Sequence, residues 1–299
     1  MNRTVAVLLH PDREEALRAA KRFIEGLGDQ FRVLTFPDDM DRVRAEVPSA
    51  SLAAVGDEAA ELAVVFGGDG SILRAAEWAR PLHVPLLGVN LGHVGFLAEL
   101  ETSHLDSLVE AVVQRNYEVE QRLVLGLVVH DEAGKRVWES FAVNEVSLEK
   151  LAREKMLTVL VSLDERPLSR WGCDGVLVST PTGSTAYAFS AGGPVVWPDV
   201  QAMLVVPLSA HALFNRPMVL SPESSVRLDL PPGGPNAIIW CDGRRSIELP
   251  TGYSAHVAAQ EPRLQIARLA EQPFTTRLVK KFALPVDGWG GRRTGHDPC

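Results

Sequence analysis

The chain has 299 residues, of which 46% are hydrophobic and 23% are charged, and this composition excludes a wholly disordered chain. At about 150 residues per domain, the length predicts two domains. The net charge of −8 argues against a broad basic surface for nucleic acid or anionic lipid, but it permits a local anion site built from backbone N–H groups.

The cysteines and the N-terminus indicate the cellular compartment. The three cysteines, Cys173, Cys241 and Cys299, form no CxxC pair and cannot build a metal framework or a disulfide scaffold. No apolar run approaches the roughly 18 residues that cross a bilayer. Charged residues from Asp12 to Glu15 follow the first apolar run, which argues against a signal peptide. We therefore expect a cytoplasmic protein with no membrane segment.

The first part of the chain alternates strands with helices. Predicted strands cover residues 4–9, 31–36, 62–66 and 84–89, and predicted helices cover residues 12–26, 72–79 and 103–114. Asp12 precedes Glu15 by three residues, a spacing that indicates a capping box at the start of the first helix. The alternation predicts a parallel α/β sheet.

After about Asn116 the pattern changes to short strands separated by turn residues. These strands are predicted over residues 123–129, 137–146, 157–163, 176–179, 226–230 and 237–240, with a short helix over 184–190. Such spacing is typical of an all-β domain. We therefore predict an α/β domain over 1–116 and a β-rich domain over 117–271. A C-terminal helix over about 272–284 packs back on the first domain, and residues 285–299 form a mobile tail.

The most informative segment is Gly67-Gly68-Asp69-Gly70-Ser71, which joins a buried strand to a helix. Glycines let a ligand approach the backbone closely, and the free N–H groups at a helix start bind phosphate. A carboxylate repels phosphate, so Asp69 makes sense there if it accepts a proton from an attacking hydroxyl or holds a magnesium ion. In the alternative, the segment is a tight turn in which Asp69 or Ser71 only caps the helix.

Two familiar nucleotide motifs are absent from the sequence. It contains no GxxxxGK[ST], so it is not a P-loop kinase. Leu73 stands where the dinucleotide fingerprint needs its last glycine, which disfavours a standard Rossmann dehydrogenase.

Five motifs occur in order, at residues 67–71, 88–97, 144–148, 174–193 and 215–244. On these motifs the chain resembles the NAD kinases, which phosphorylate the 2′-hydroxyl of the adenosine ribose of NAD to give NADP. The resemblance implies an α/β nucleotide-binding N-terminal domain and a β-rich, NAD-binding C-terminal domain, a fold shared with diacylglycerol kinases. It also implies ATP or polyphosphate as phosphoryl donor and assembly into homodimers or homotetramers.

The resemblance also assigns roles to single residues. Asp69 matches the general base, and Asn144 and Glu145 match the pair that binds adenosine. The other residues expected to bind substrate are Gly67, Gly68, Gly70, Ser71, Arg74, Lys155, Asp174, Thr185, Ala186, Tyr187, Ser190, His211 and Arg244. Three of these depart from the family pattern. Ser71 replaces the usual threonine, Arg244 replaces a glutamine found in many relatives, and His211 lies in a looser version of the family's His-bearing segment.

The sequence shows no dedicated metal cage, so we expect Mg²⁺ to arrive with the phosphoryl donor. Two other functions stay open at this stage. A lipid or sugar kinase shares the Gly-Gly-Asp-Gly turn but explains only the first motif. An inactive NAD(P)-binding regulator is disfavoured by the intact Asp69, Asn144 and Glu145.

Overall fold

A computed structural model describes residues 3–92, 95–151, 155–269 and 273–285. These residues divide into two compact units. The first contains the chain up to Ala75, Leu86–Glu118 and the chain from Ala267 onwards, and the second contains Ala76–Pro85 and Val119–Ile266. Residues 286–299, most of the predicted tail, lie outside the described part of the chain.

A mainly parallel sheet carries the Gly-Gly-Asp-Gly turn. Its described strands are β1 (Arg3–Leu9), β2 (Phe31–Thr35), β3 (Ser51–Ala54), β4 (Leu62–Phe66), β5 (Leu86–Asn90), β6 (Ala98–Glu101), β7 (Glu118–Arg122) and β20 (Leu264–Arg268). The order is β3-β2-β1-β4-β5-β20-β7, with β6 also paired to β5. Strands β1 to β6 pair in parallel, and the direction of winding changes between β1 and β4.

Four helices accompany these strands in the described residues, namely α1 (Glu14–Leu27), α2 (Met40–Glu46), α3 (Asp69–Ala79) and α4 (Leu105–Gln114). The apolar face of α1 buries Phe23 and Ile24, and the ring of Phe23 lies 5.8 Å from that of Phe66 at the end of β4. This packing fixes β4 and therefore the position of the turn that follows it.

The second unit holds two antiparallel sheets of short strands. The strands are β8 (Leu125–His130), β9 (Arg136–Ala142), β10 (Glu145–Lys150), β11 (Leu157–Leu163), β12 (Arg166–Cys173), β13 (Gly175–Ser179), β14 (Met203–Leu208), β15 (Met218–Leu220), β16 (Ser225–Asp229), β17 (Ala237–Cys241), β18 (Arg245–Leu249) and β19 (Ser254–Ala259). Their orders are β15-β14-β13-β10-β17-β18 and β12-β11-β16-β19-β8-β9. One core joins the two inner faces, with Trp171 fully buried in it.

Two short helices complete the described elements, α5 (Tyr187–Ser190) and α6 (Phe274–Phe282). The predicted order, an α/β part followed by an antiparallel β-rich part, is confirmed. No helix among the described residues is long and apolar enough to cross a membrane.

Some local predictions were wrong. The Asp12 capping box does not form, because α1 begins at Glu14 after Arg13 without a side-chain cap, while the Asp12 N–H bonds the His10 ring. The strand predicted over 137–146 is two strands, β9 and β10, because the backbone turns at Asn144. Helix α2 and strands β3, β6, β7, β12, β14, β15, β18, β19 and β20 were not predicted.

Candidate active site

Asp69 is the first residue of α3, and Gly67 and Gly68 connect it to the end of the central strand β4. The Gly67 N–H donates to the Val89 carbonyl, and the Gly68 carbonyl accepts from the Ser71 N–H at 2.9 Å. A Cβ at Gly67 would lie 2.2 Å from Ser71 Oγ, so this position requires glycine. Since β1 and β4 flank the point where the winding changes, the turn lies at the sheet edge where open α/β folds bind ligands.

Three backbone amides hold the Asp69 carboxylate. Its Oδ1 accepts from the N–H groups of Leu97 at 2.9 Å and Ala98 at 3.2 Å. Its Oδ2 accepts from the N–H of Phe96 at 2.9 Å. A carboxylate offers about four lone-pair sites, so among the described residues one site on Oδ2 has no donor and can accept from a substrate hydroxyl. The carboxylate is thus oriented by the backbone rather than free to rotate.

Gly95 lets this loop approach Asp69. A Cβ at Gly95 would lie 2.4 Å from Asp69 Oδ1, closer than side-chain contacts allow, so only glycine fits beside the carboxylate. The sequence pattern of the second motif contains this glycine, but it does not show which side chain the loop contacts.

Arg74 lies one turn further along α3 and already has partners in the first unit. Its guanidinium stacks over the Phe36 ring at 4.5 Å and contacts the Asp38 carboxylate at 3.5 Å. Gly70 is exposed, and a Cβ there would meet no atom within 4 Å. The steric requirement for glycine therefore applies to Gly67 and not to Gly70.

In the second unit, Asp242 organises the turn that carries Asn144 and Glu145. The Asp242 carboxylate accepts from the N–H groups of Val143 at 3.0 Å, Asn144 at 2.7 Å and Glu145 at 3.3 Å. Arg245 adds a contact at 3.1 Å. This carboxylate therefore satisfies three successive amides where β9 ends and β10 begins.

The other side of the same turn is held by the segment after β13. The Asn144 carbonyl accepts from the Thr180 N–H at 2.9 Å and from the Ser179 hydroxyl at 3.1 Å. A Cβ at Gly183 would lie 2.0 Å from that carbonyl oxygen, so glycine is required there too. No described residue forms a hydrogen bond with the Asn144 side-chain amide, which is thus available to a ligand.

Glu145 is a buried carboxyl group with an unsatisfied oxygen. Its Oε2 has no hydrogen-bond partner among the described residues. Burial, together with the charges of Asp242 and Glu149, raises the pKa of Glu145 to about 8, while a hydrogen bond from the Tyr187 N–H acts in the opposite direction. The pKa of Asp242 is also raised by burial, but three amides and Arg245 favour its charged form. Glu145 is therefore the member of the pair that keeps its proton at neutral pH.

The segment around α5 lies against Glu145. Residues Thr182–Thr185 form a 3-10 turn before α5, and the Ser184 hydroxyl accepts from the Val196 N–H at 2.9 Å instead of capping the helix. Thr185 and Ala186 are partly buried, while Tyr187 and Ser190 are exposed. Burial raises the pKa of the Tyr187 hydroxyl, and the charges of Glu149, Glu145 and Asp174 add to this. These side chains thus share one neighbourhood.

Comparison with known proteins decides the family. The ATP-NAD kinase N-terminal domain matches residues 5–117 and the ATP-NAD kinase C-terminal domain matches residues 143–269. The NAD kinase of Cutibacterium acnes is 56% identical over 99% of this chain and 94% of its own length. The chain belongs to the NAD kinase family.

Solved structures agree with the NAD kinase fold. The yeast NADH kinase complexed with NADH has a TM-score of 0.84 at 22% identity, covering 99% of this chain and 90% of that one. An NAD kinase from Archaeoglobus fulgidus in complex with ATP has a TM-score of 0.72 at 24% identity, covering 94% of this chain and 100% of that one. The family models and the curated relatives confirm the resemblance inferred from the five motifs, so the lipid or sugar kinase alternative is wrong.

The enzyme is a kinase that converts NAD to NADP with ATP. Of its predicted substrate-binding residues, Asn144, Glu145, Tyr187 and Asp174 lie near one another in the second unit, with Asp174 paired to Lys150 at 2.5 Å.

Three other predicted substrate-binding residues show no contact with that group in the described residues, namely Lys155, His211 and Arg244. Lys155 is exposed, His211 is exposed and pairs through its N–H with the Gly172 carbonyl, and Arg244 contacts Glu77 at 2.9 Å.

Three residues that support the site were not singled out from the sequence. Asp242 lies in the fifth motif, and Gly95 and Phe96 lie in the second. Each forms hydrogen bonds with, or packs against, a residue that is distant in the chain. Asp242, for example, is separated by 97 to 99 residues in sequence from the three residues whose amides donate to it. Their presence in the motifs was a signal, but their partners could not be read from spacing.

The raised pKa of Glu145 predicts a pH-dependent stability. The folded enzyme keeps this proton up to about pH 8, whereas the unfolded chain releases it near the ordinary value of 4.5. Stability contributed by this group is therefore full below that ordinary value and falls as pH rises towards the folded pKa. Glu145→Gln stays neutral at every pH.

We expect the difference in unfolding temperature, Glu145→Gln minus wild type, to grow as pH is raised from 5 to 9. Glu139→Gln, at an exposed position of the same unit, serves as control and should show no such trend. A pH-independent difference for Glu145→Gln would contradict the assignment of a retained proton.

Proposed function

We propose that Asp69 is the general base that accepts the proton of the adenosine 2′-hydroxyl as this oxygen attacks the terminal phosphorus of ATP. The supporting observation is the carboxylate oriented by three amides, with one lone pair of Oδ2 remaining. A ribose hydroxyl is a poor nucleophile at neutral pH and needs a base at about 3 Å. The assay of Asp69→Asn, with Asp106→Asn as control, tests this role.

The start of α3 supports a proposal for the donor phosphates. The N–H groups of Gly67 and Ser71 already donate to carbonyls, so they are not available to a ligand. The first amides of a helix lack intrahelical partners, and here those are the amides of Gly68, Asp69 and Gly70. We propose that these amides, at the positive end of the helix dipole, hold phosphate oxygens of ATP, with Arg74 beside them.

The second unit supports a proposal for the nucleoside. A buried carboxyl with one unsatisfied oxygen and a neighbouring side-chain amide can each donate and accept hydrogen bonds, which suits ribose hydroxyls and an adenine edge. We propose that Glu145 and Asn144 bind the adenosine of NAD. The side chains of Asp174, Thr185, Ala186, Tyr187 and Ser190 complete this site.

We propose that Mg²⁺ enters bound to ATP. Among the described residues, no three His, Cys, Asp or Glu side chains form a cluster able to hold a metal ion, and Mg²⁺ often binds through substrate phosphates and water. The cation would offset the charge of the transferred phosphoryl group.

We expect chelation by EDTA to abolish NADP formation and added Mg²⁺ to restore it. Calorimetric binding of NAD without ATP should be the same with and without EDTA, because the metal belongs to the donor. Weaker NAD binding in EDTA would instead indicate a metal held by the protein. The same assay with polyphosphate in place of ATP determines whether it is a second donor.

We also propose a homo-oligomer in the cytoplasm. Apolar side chains at Leu213, Phe214 and Val219 are at least half exposed on the second unit, and exposed apolar surface of this kind favours subunit contacts. Free thiols at Cys173 and Cys241 suit a reducing compartment.

A further inference from the structure

Arg245, the first residue of β18, contacts the carboxylate that holds the Asn144 turn. Its Nη2 donates to Asp242 Oδ2 at 3.1 Å, and only 1% of the Asp242 side chain is exposed. The same oxygen accepts from the Val143 N–H, while Oδ1 accepts from the N–H groups of Asn144 and Glu145. Arg245 therefore supplies a positive charge beside a buried carboxylate, which is costly to bury without one.

The Arg245 guanidinium has supports of its own in the second unit. It lies over the Phe141 ring, 4.1 Å from the ring centre, and its Nη1 donates to the Ser140 hydroxyl oxygen at 3.4 Å. Its Nε lies 3.4 Å from Oε1 of Glu77, a residue of the same unit. A planar guanidinium can stack on a ring and pair with carboxylates at once, so these contacts fix both its position and its direction.

A second arginine holds the ring over which Arg245 lies. The Arg80 guanidinium also lies over Phe141, 4.7 Å from the ring centre, and Arg80 is buried. It donates to the backbone carbonyls of Pro262 at 2.7 Å and Glu261 at 3.2 Å. The ring that supports Arg245 is therefore itself in contact with an anchored side chain.

Arg245 favours the ionised form of Asp242. Burial raises the pKa of Asp242, and the three amides together with the charge of Arg245 act in the opposite direction. A protonated carboxyl oxygen donates a hydrogen bond, so without the cation Asp242 would be less able to accept from all three amides. The turn that carries Asn144 and Glu145 would then lose part of its support.

We infer that Arg245 is a positioning residue for NAD binding: by pairing with Asp242, it keeps the Asn144 turn in the conformation that presents Asn144 and Glu145 to the adenosine. This inference rests on the proposed binding of adenosine by these two residues. It adds that the affinity for NAD depends on a side chain that acts through Asp242, and on the Phe141 ring that supports this side chain.

The test uses the full-length enzyme and a double-mutant cycle. Arg245→Met removes the charge and keeps an unbranched apolar side chain, and Arg245→Lys keeps the charge without the planar guanidinium. Arg136→Met is the matched control, because it removes a charge from an exposed position of β9. The values of kcat and of KM for NAD and ATP are measured for each variant and for Glu145→Ala, and Arg245→Met is also combined with Asp242→Asn.

Binding groups must be held within about 0.5 Å of their productive positions, so we expect Arg245→Met to raise KM for NAD by about 10-fold to 30-fold. The value of kcat and the KM for ATP should stay within about threefold, since the lost contribution is to NAD binding. Arg245→Lys should recover part of the loss, and Arg136→Met should behave as wild type. In the Asp242→Asn background, Arg245→Met should raise KM for NAD by less than about threefold, because residues in one network are not additive.

An equal rise of KM for NAD in both backgrounds would overturn the inference, since a purely structural role acts whether or not the Asp242 carboxylate is present. Unchanged KM for NAD in Arg245→Met, with Glu145→Ala impaired, would also overturn it while leaving Glu145 as a binding residue. Unchanged KM for NAD in Glu145→Ala would instead remove the proposed function. Should Arg245→Met fail to fold, Phe141→Leu is taken through the same cycle, with a smaller but equally Asp242-dependent rise expected.

Discussion

Replacing Asp69 with asparagine is expected to lower kcat for NADP formation by about 10²-fold to 10⁴-fold, the contribution typical of a general base. Asparagine keeps one carbonyl oxygen that can accept the two N–H groups now bonded to Oδ1. Its amide nitrogen cannot accept from the Phe96 N–H, so two of the three hydrogen bonds remain to hold the loop. It cannot take a proton from the ribose hydroxyl. Initial rates in a coupled NADP assay measure the effect.

Binding must be followed separately from turnover. We expect the dissociation constants of NAD and NADP, measured by calorimetry, to change by less than about threefold, because the lost interaction matters mainly in the transition state. Asp106→Asn changes a carboxylate that is 95% exposed in the same unit and should leave kcat unaltered. Wild-type turnover in Asp69→Asn would show that another group accepts the proton.

The second large effect is expected at Glu145. Removing a buried hydrogen-bonding group costs about 1–3 kcal/mol, so Glu145→Ala should raise KM for NAD by about 10-fold to 100-fold. Glu145→Gln should keep KM within about threefold at pH 7, because a glutamine is neutral, like the protonated carboxyl, and also donates and accepts. The KM for ATP should change little in either variant.

The contrast between these two variants is the decisive measurement. If Glu145→Gln were as defective as Glu145→Ala, NAD would require the ionised carboxylate, contrary to the pKa of about 8 that burial, Asp242 and Glu149 cause. Glu139→Ala, at an exposed position of β9, controls for the loss of a carboxylate that is not expected to bind NAD. Circular dichroism at each pH verifies that every variant is folded.

Local sequence was a good guide wherever a single segment determines its own structure. The apolar strand before Gly67, the helix after it and the periodic face of α4 were all predicted from spacing. The prediction of helix and strand boundaries failed where a residue distant in the chain determines the local backbone structure. Asp12 looked like a cap, yet the backbone enters α1 through Arg13. The apolar run over 137–146 gave no sign that Asp242, far along the chain, bends it at Asn144.

In the candidate site, too, some features could be predicted from the sequence and others depend on tertiary contacts. The family, and Asp69, Asn144 and Glu145 as candidate residues, came from the motifs, because the order and spacing of residues are local properties of the chain. The proton on Glu145 was not readable, because its pKa depends on burial and on neighbours brought near by β13, β17 and α5.

By itself, then, the sequence determined the alternation of strands and helices, the change to short strands after Asn116, and the kinase family. Only the tertiary structure decided that three amides of the Gly95–Ala98 loop orient Asp69, that Asp242 supports the Asn144 turn, and that Phe96 of this loop packs against α6. The physical reason is that hydrogen bonding, burial and charge compensation act between residues that the folded chain brings together, and these partners leave no periodic signal in the order of residues.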